Sequence, residues 1–245
     1  MSVNFLLRLL MIALCLLSGA SLSAQTTDTR EADAPRTDSI SPAQRLIAAA
    51  ALDLVGQTRL EMDGKKFPWD CSGTVLGSLW KAGLDVTGEY GSFDGNGVNR
   101  LHEIAVVHEL DYDLLLPEIG DIIFWDNTYD RNGDLKWNDP LTHTGVVVGV
   151  DSNGTISYVH HDYRRGIVVA HMNLLYPLSQ FAILPDGTRT EINSPLRMNS
   201  DRYLNPTRWL SSHLFRSFGR IHVLLDRQLT ASVNTGAPAN PASKS

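Results

Sequence analysis

The hydrophobic pattern of this chain changes its period once, near Asp121, and that change restricts the fold more than any other feature. Before it, apolar residues recur at helical spacing. After it they come in short runs, "DIIFW", "TGVVVGV", "TISYVH" and "GIVVAH", rich in β-branched and aromatic residues and broken by turn clusters such as "DSNG" at 151–154. Helices first and antiparallel strands second predict an α+β fold. Ser41, Pro42 and Gln44 fit a capping box that opens a helix over "AQRLIAAAALDLV", stopped by Gly56. A second helix is predicted from Cys71 to Ala82, ended by Gly83, with Val75, Leu76, Leu79 and Trp80 as its apolar stripe. A third is predicted over residues 98–110, and a late one over "PTRWLSSHLFRSF".

The folded unit is expected over residues 41–230 of the 245. Ahead of it, Arg8, an apolar run from Leu9 to Leu17 and mainly small residues from Ser18 to Ala24 have the layout of a signal peptide, 1–24. That run is well short of the ~20 residues a membrane-spanning helix needs, so export to the periplasm or medium is expected, with no stable membrane insertion after cleavage. A retained anchor is the alternative. Residues 25–40 read as a disordered linker and 231–245 as a disordered tail, both polar and poor in large apolar groups. The net charge of −6 offers no basic footprint, which excludes sequence-independent nucleic-acid binding.

The chain has two cysteines, and Cys15 lies inside the predicted signal peptide. Cys71 is then alone, which in an exported protein points to a reactive thiol or an intermolecular bridge. Asp70 is a suitable N-cap, so Cys71 falls in the first helical turn, where unpaired N–H groups and the helix dipole favour a thiolate. Gly73 and Gly77 leave room for another segment to approach that helix. The opposite reading is a small buried hydrophobe.

A nucleophilic thiol needs a base, and among eight histidines His143 stands out at the head of the strand "HTGVVVGV". If Val150 pairs with Thr155 across the "DSNG" turn, Gly145 lies opposite His160 and His143 opposite Asp162. His143, His160 and Asp162 then share one face, with His161 on the other unless a bulge intervenes. His143 is the candidate base, expected to meet Cys71 in an ion pair or hydrogen bond poised near neutral pH. His160 or Asp162 is the candidate orienting group. Trp69, Ser72, Trp125 and Tyr158 are candidate substrate-side residues, with core packing as the alternative for the aromatics. The stretch 197–209, "RMNSDRYLNPTRW", is polar and aromatic and has the character of a substrate-side loop.

Residues 126–139, "DNTYDRNGDLKWND", resemble a calcium loop, with Asp130, Asn132 and Asp134 at alternate positions and Asn138 at the ninth. The sixth place is Leu135 rather than glycine, and the twelfth is Leu141 rather than an acid. An acidic surface turn is the alternative.

Three segments in order, "DCSGTVLGSLWKAGL", "PEIGDIIFW" and "HTGVVVGV", resemble the nucleophile helix, the Pro-x-x-Gly-Asp strand and the histidine strand of the NlpC-type and CHAP-type cysteine peptidases and amidases. The resemblance spans roughly residues 43–170. It implies a papain-like core whose thiolate cleaves amide bonds in peptidoglycan stem peptides, as an endopeptidase or amidase. On it, Cys71 is the nucleophile, His143 the base and His160 the third member, with Asp162 in reserve. The upstream "LEMDGKKFPWDCSG" lacks the Gly-Gly approach common in NlpC-type members, which leaves the bond cleaved open. No cofactor is implied, with calcium as the one candidate ion. The competing readings are an acyltransferase or protease on another substrate, a zinc site built from Cys71, His143 and His160, and a cell-wall-binding member without turnover.

Overall fold

The computed structural model describes residues 40–235; the predicted signal peptide, residues 25–39 of the linker and residues 236–245 lie outside them. In chain order the elements are α1 (Pro42–Leu52), β1 (Glu61–Met62), β2 (Lys65–Lys66), α2 (Cys71–Lys81), α3 (Thr87–Ser92), α4 (Gly97–Val107), β3 (Asp111–Tyr112), β4 (Ile122–Trp125), β5 (His143–Val150), β6 (Ile156–Asp162), β7 (Gly166–Met172), β8 (Phe181–Ile183) and β9 (Arg189–Glu191). A 3₁₀ segment (Asn199–Leu204), α5 (Ser211–Leu214), β10 (Phe215–Gly219) and α6 (His222–Thr235) complete it. Helices therefore combine with an antiparallel six-stranded sheet, in the order β3-β10-β4-β5-β6-β7.

The capping box forms: Gln44 N–H donates to Ser41 Oγ, and Ser41 N–H donates to Gln44 Oε1. α1 and α2 pack on each other and on β5, burying Ile47, Ala51, Val75, Leu76 and Leu79 against Ile122, Phe124, Val146 and Val159. The sheet's other face carries a second core of Ile123, Trp125, Val147, Tyr158 and Phe218. Both faces are covered, which is why "IIFW" of β4 reads as a continuous apolar run and is buried throughout.

Two expectations about elements need correction, and one element was not foreseen. The late helix over 206–218 is a single turn, α5, followed by a strand: Phe215–Gly219 occupies the slot between β3 and β4. Leu210, Leu214 and Phe218 are spaced like a helix stripe, but pairing with two neighbouring strands outweighs that spacing. The short α3 has no counterpart in the sequence reading. The helix α6 runs on to Thr235, past residue 230 where the tail was to begin, because Ile221 and Leu225 bury against the helical side of the core.

The β5–β6 hairpin closes differently from the predicted register, then returns to it. Val150 pairs with Ile156, not Thr155; a bulge between Val147 and Gly149 absorbs one residue, and Val147 pairs with Tyr158 and Val146 with Val159. One step further, a Cβ placed on Gly145 would lie 3.3 Å from His160 Cβ, so at this end the predicted alignment holds.

Asp121, the aspartate of "GDIIFW", is fully buried at the head of β4. The Tyr112 hydroxyl donates to its Oδ2, and so does Glu118 N–H at 2.7 Å. His222 Nε2 approaches Asp121 Oδ1 to 3.3 Å and Glu118 Oε2 to 3.2 Å, and its Nδ1 lies 3.7 Å from Asp226 Oδ2. Neither His222 nitrogen makes an aligned hydrogen bond among the described residues, so these are ionic approaches. Burial pushes the His222 pKa down, but the surrounding carboxylates, Asp121 foremost, outweigh it and raise it. The His222 contribution is therefore present below its ordinary value of 6.5 and fades as pH climbs through the raised one. Asp121→Asn is expected to cost about 2 kcal/mol at pH 6. Urea midpoints at pH 6 and pH 9 check it: the gap from the parent should shrink at the higher pH, and a constant gap would remove His222 from the account.

Candidate functional site

Asp70 is the N-cap of α2, and its Oδ1 accepts from Gly73 N–H and from Ser72 Oγ, each at 2.8 Å. Cys71 is thus fixed in the first turn, and it is free of any disulfide. Gly73 meets the chain that leads into the helix: a Cβ there would overlap the Pro68 carbonyl. Ser72 is buried beneath the cap rather than presented to a ligand.

The thiol points to the head of β5, where the Thr144 backbone N–H hydrogen-bonds it. The described β5–β6 pairing ends at Val146 and Val159, so His143, Thr144 and His160 lie beyond it. There His143 Nε2 and His160 Nδ1 are 2.8 Å apart, with the rings perpendicular at 82° and 5.1 Å between centroids. Cys71, His143 and His160 are thereby brought to one end of the sheet. Trp125 and Tyr158 pack behind them: Trp125 lies 5.7 Å from the His143 ring and Tyr158 5.2 Å from that of His160, and both are fully buried. These two aromatics are walls of the histidine pair, and the expectation that they face substrate is corrected: neither has surface to offer.

Asp162 is engaged elsewhere. Its Oδ1 accepts from the N–H groups of Arg164 and Arg165, and its Oδ2 from the Arg165 guanidinium at 3.0 Å. Against the upward push of burial, these hydrogen bonds hold its carboxyl down to about 2. His161 faces the helix side, edge-on to Trp69 at 4.8 Å, and Trp69 is exposed.

No protein-family model, curated protein or solved structure matches this chain. The site is accordingly read from its own atoms. Burial above all, then the Asp70 charge, pushes the Cys71 thiol up to about 12, and the N–H groups of Thr144, Ser72 and Cys71 only partly offset this. The residue keeps some exposed surface, but its sulfur is deep enough for desolvation to dominate. Burial, then the neighbouring His161, lowers His143 to about 4, and burial with His143 beside it holds His160 well below its ordinary value. At rest, near neutral pH, the Cys71 thiol and the His143 imidazole are both neutral. Of the ion pair or hydrogen bond expected near neutral pH, the charged form is disfavoured, because the helix-start N–H groups are outweighed by depth and by the capping carboxylate itself. A neutral imidazole is already competent to accept a proton.

The loop 126–142, between β4 and β5, walls the site. Leu141 N–H donates to Asp126 Oδ1, and Thr128 donates from both N–H and hydroxyl to Thr142 Oγ1, tying the loop's two ends together. Tyr129 of this loop lies within electrostatic reach of Cys71: burial first and then the Cys71 charge raise its hydroxyl pKa. Asp130 accepts from Gly133 and Leu135 N–H, Asn132 Oδ1 from Asp134 N–H, and Asp134 from Lys136 N–H and Asn138 Nδ2. The candidate calcium residues are thus gathered in one loop, with the oxygens of Asp130, Asn132 and Asp134 turned to its own donors and Asn138 itself one of those donors. Leu135, at the sixth place, takes the left-handed φ of 59° that glycine supplies in such loops.

The stretch 197–209 packs on this wall. Arg197 is buried, donates to the Asn127 and Asp201 carbonyls, and stacks 4.5 Å over the Trp137 ring. Sequence reasoning missed Tyr129 and Arg197. The signal available was the aromatic–arginine composition of the two segments, which does not reveal that they meet.

Proposed function

We propose that this chain is an exported thiol hydrolase with a papain-like core that cleaves amide bonds in peptidoglycan stem peptides. The observation that carries the reading is the convergence at one sheet end: the Cys71 thiol on the Thr144 N–H, and His143, the preceding residue, hydrogen-bonded to His160 at 2.8 Å. The three motifs that resemble NlpC-type and CHAP-type enzymes supply the substrate class.

In this mechanism His143 takes the Cys71 proton as sulfur attacks the scissile carbonyl carbon. Backbone N–H groups at the start of α2 hold the oxyanion. His160 orients the imidazole and stabilises its charged form, which then protonates the departing amine. Water, deprotonated by His143, clears the thioester and regenerates the thiol.

Cys71→Ala is expected to lower muropeptide release from sacculi by about 10⁴-fold or more, as removal of a nucleophile does elsewhere. Mass spectrometry of the digest measures this and names the bond cut. Undiminished release by a folded variant would overturn the proposal.

A further inference from the structure

The β6–β7 turn, residues 162–166, stands at the edge of the site and serves no step of the mechanism above. Both of its flanks touch Trp69, two residues before the nucleophile: His161 meets the indole edge-on at 4.8 Å, and a Cβ on Gly166 would lie 3.6 Å from Trp69 Cζ2. The turn is therefore seated beside the start of α2. Its other tie to the site is His161, whose charge acts directly on His143.

The turn displays aromatic and cationic surface. Tyr163, on the turn, is 80% exposed, and Trp69, two residues before the nucleophile, is 43% exposed. Isolated exposed aromatics carry little meaning, but Trp69 and the Tyr163 of a turn packed against it together offer an amphipathic contact surface. The two arginines at the tip have different fates. Arg165 is spent on Asp162 at 3.0 Å, in a bond that, with the Arg164 and Arg165 N–H groups, locks the turn. The Arg164 guanidinium is exposed and makes no hydrogen bond, ion pair or ring contact among the described residues. A turn locked by the Asp162 hydrogen bonds that presents one unpartnered guanidinium next to Tyr163 is pre-organised for an anion, with reduced ordering cost on binding. On a chain with a net charge of −6, such a local cation is also what lets an acidic substrate approach.

We infer that Trp69, Tyr163 and Arg164 form a binding subsite beside Cys71 for a carboxylate-bearing part of the substrate, a reading that rests on the proposed hydrolysis at Cys71. The aromatics cover the apolar stem of the bound segment, and the guanidinium takes its carboxylate.

The test uses muropeptides with free carboxylates and the same muropeptides converted to carboxamides. Binding is measured by calorimetry on the full chain carrying Cys71→Ala, so that turnover does not interfere. The free acids should bind roughly fivefold more tightly than the amides, as expected for a solvent-exposed charge pair. That preference should weaken in high salt and fall to near parity when Arg164→Gln is added. Trp69→Ala should weaken both forms alike. Equal affinity for acid and amide, a preference that survives Arg164→Gln, or no binding of either form overturns the subsite. Cleavage by the parent chain is read separately. A preference in binding with no cleavage of either form sinks the hydrolase reading and leaves the subsite standing, whereas cleavage of both forms without preference does the reverse.

Discussion

Gly73→Ala is expected to destabilise the fold by about 3 kcal/mol or more, because the new methyl would overlap backbone rather than a yielding side chain. A Cβ at this position would overlap the Pro68 carbonyl oxygen, with the carbonyl carbon 2.7 Å and the Pro68 nitrogen 3.0 Å away. Relief requires moving either α2 or the strand of chain Phe67–Asp70, and that chain carries both the exposed Trp69 and the Asp70 cap. The same displacement shifts Cys71 against Thr144 N–H, so the proposed hydrolytic activity of the folded fraction should fall about 100-fold, as it does when catalytic groups move by an ångström. Gly77→Ala is the control one turn on. Its Cβ would meet the Met62 side-chain terminus at 2.9 Å, a flexible group that can swing aside, and the cost should stay near 1 kcal/mol. Urea midpoints for both variants check this; equal midpoints would mean that the Pro68 contact does not constrain the helix.

This glycine also shows how much the primary structure disclosed. Close approach of another segment to the α2 glycines was readable from their spacing, but the identity of that segment was not, since Pro68 precedes the helix by a tight local turn. The helix start at Cys71 was legible because capping is local chemistry: Asp70 binds Gly73 N–H within three residues. The hairpin was legible only through compensation. Its closing pair is Val150–Ile156, and the bulge at Val148 restores the alignment that sets His160 beside Gly145. Had the bulge been absent, His161 would have taken that place. The late strand was hidden because Leu210, Leu214 and Phe218 mimic a helical stripe, while the slot between β3 and β4 exists only in the assembled sheet. The packing of Arg197 on Trp137 was hidden for a related reason: sixty positions separate them, and only tertiary contact joins them.

Iodoacetamide is expected to alkylate Cys71 at pH 7 about 10³-fold more slowly than an unperturbed cysteine, since each unit of pKa removes a factor of ten from the thiolate population. The thiol is held up to about 12 and the His143 imidazole down to about 4, so between those values neither is charged in the resting protein. The rate should keep climbing through pH 9 and beyond; a plateau between pH 6 and 7 would reveal a thiolate–imidazolium pair and overturn the neutral one. Stability should follow the same groups. His143 titrates lower folded than its ordinary 6.5, so its contribution is complete above 6.5 and is lost as pH falls toward about 4, a change on the order of 2–3 kcal/mol. Cys71 titrates higher folded than its ordinary 9.0, so its contribution is complete below 9.0 and is lost as pH rises toward about 12. His143→Gln should flatten the acid limb of a stability–pH curve and leave the alkaline limb in place. A buried neutral pair also bears on chemistry. In the proposed mechanism, proton transfer from sulfur to His143 creates two charges in a desolvated site, and it becomes favourable only when a carbonyl is in place to receive the electron pair. On the proposed reading the thiol then stays inert toward adventitious electrophiles until a scissile carbonyl is in place.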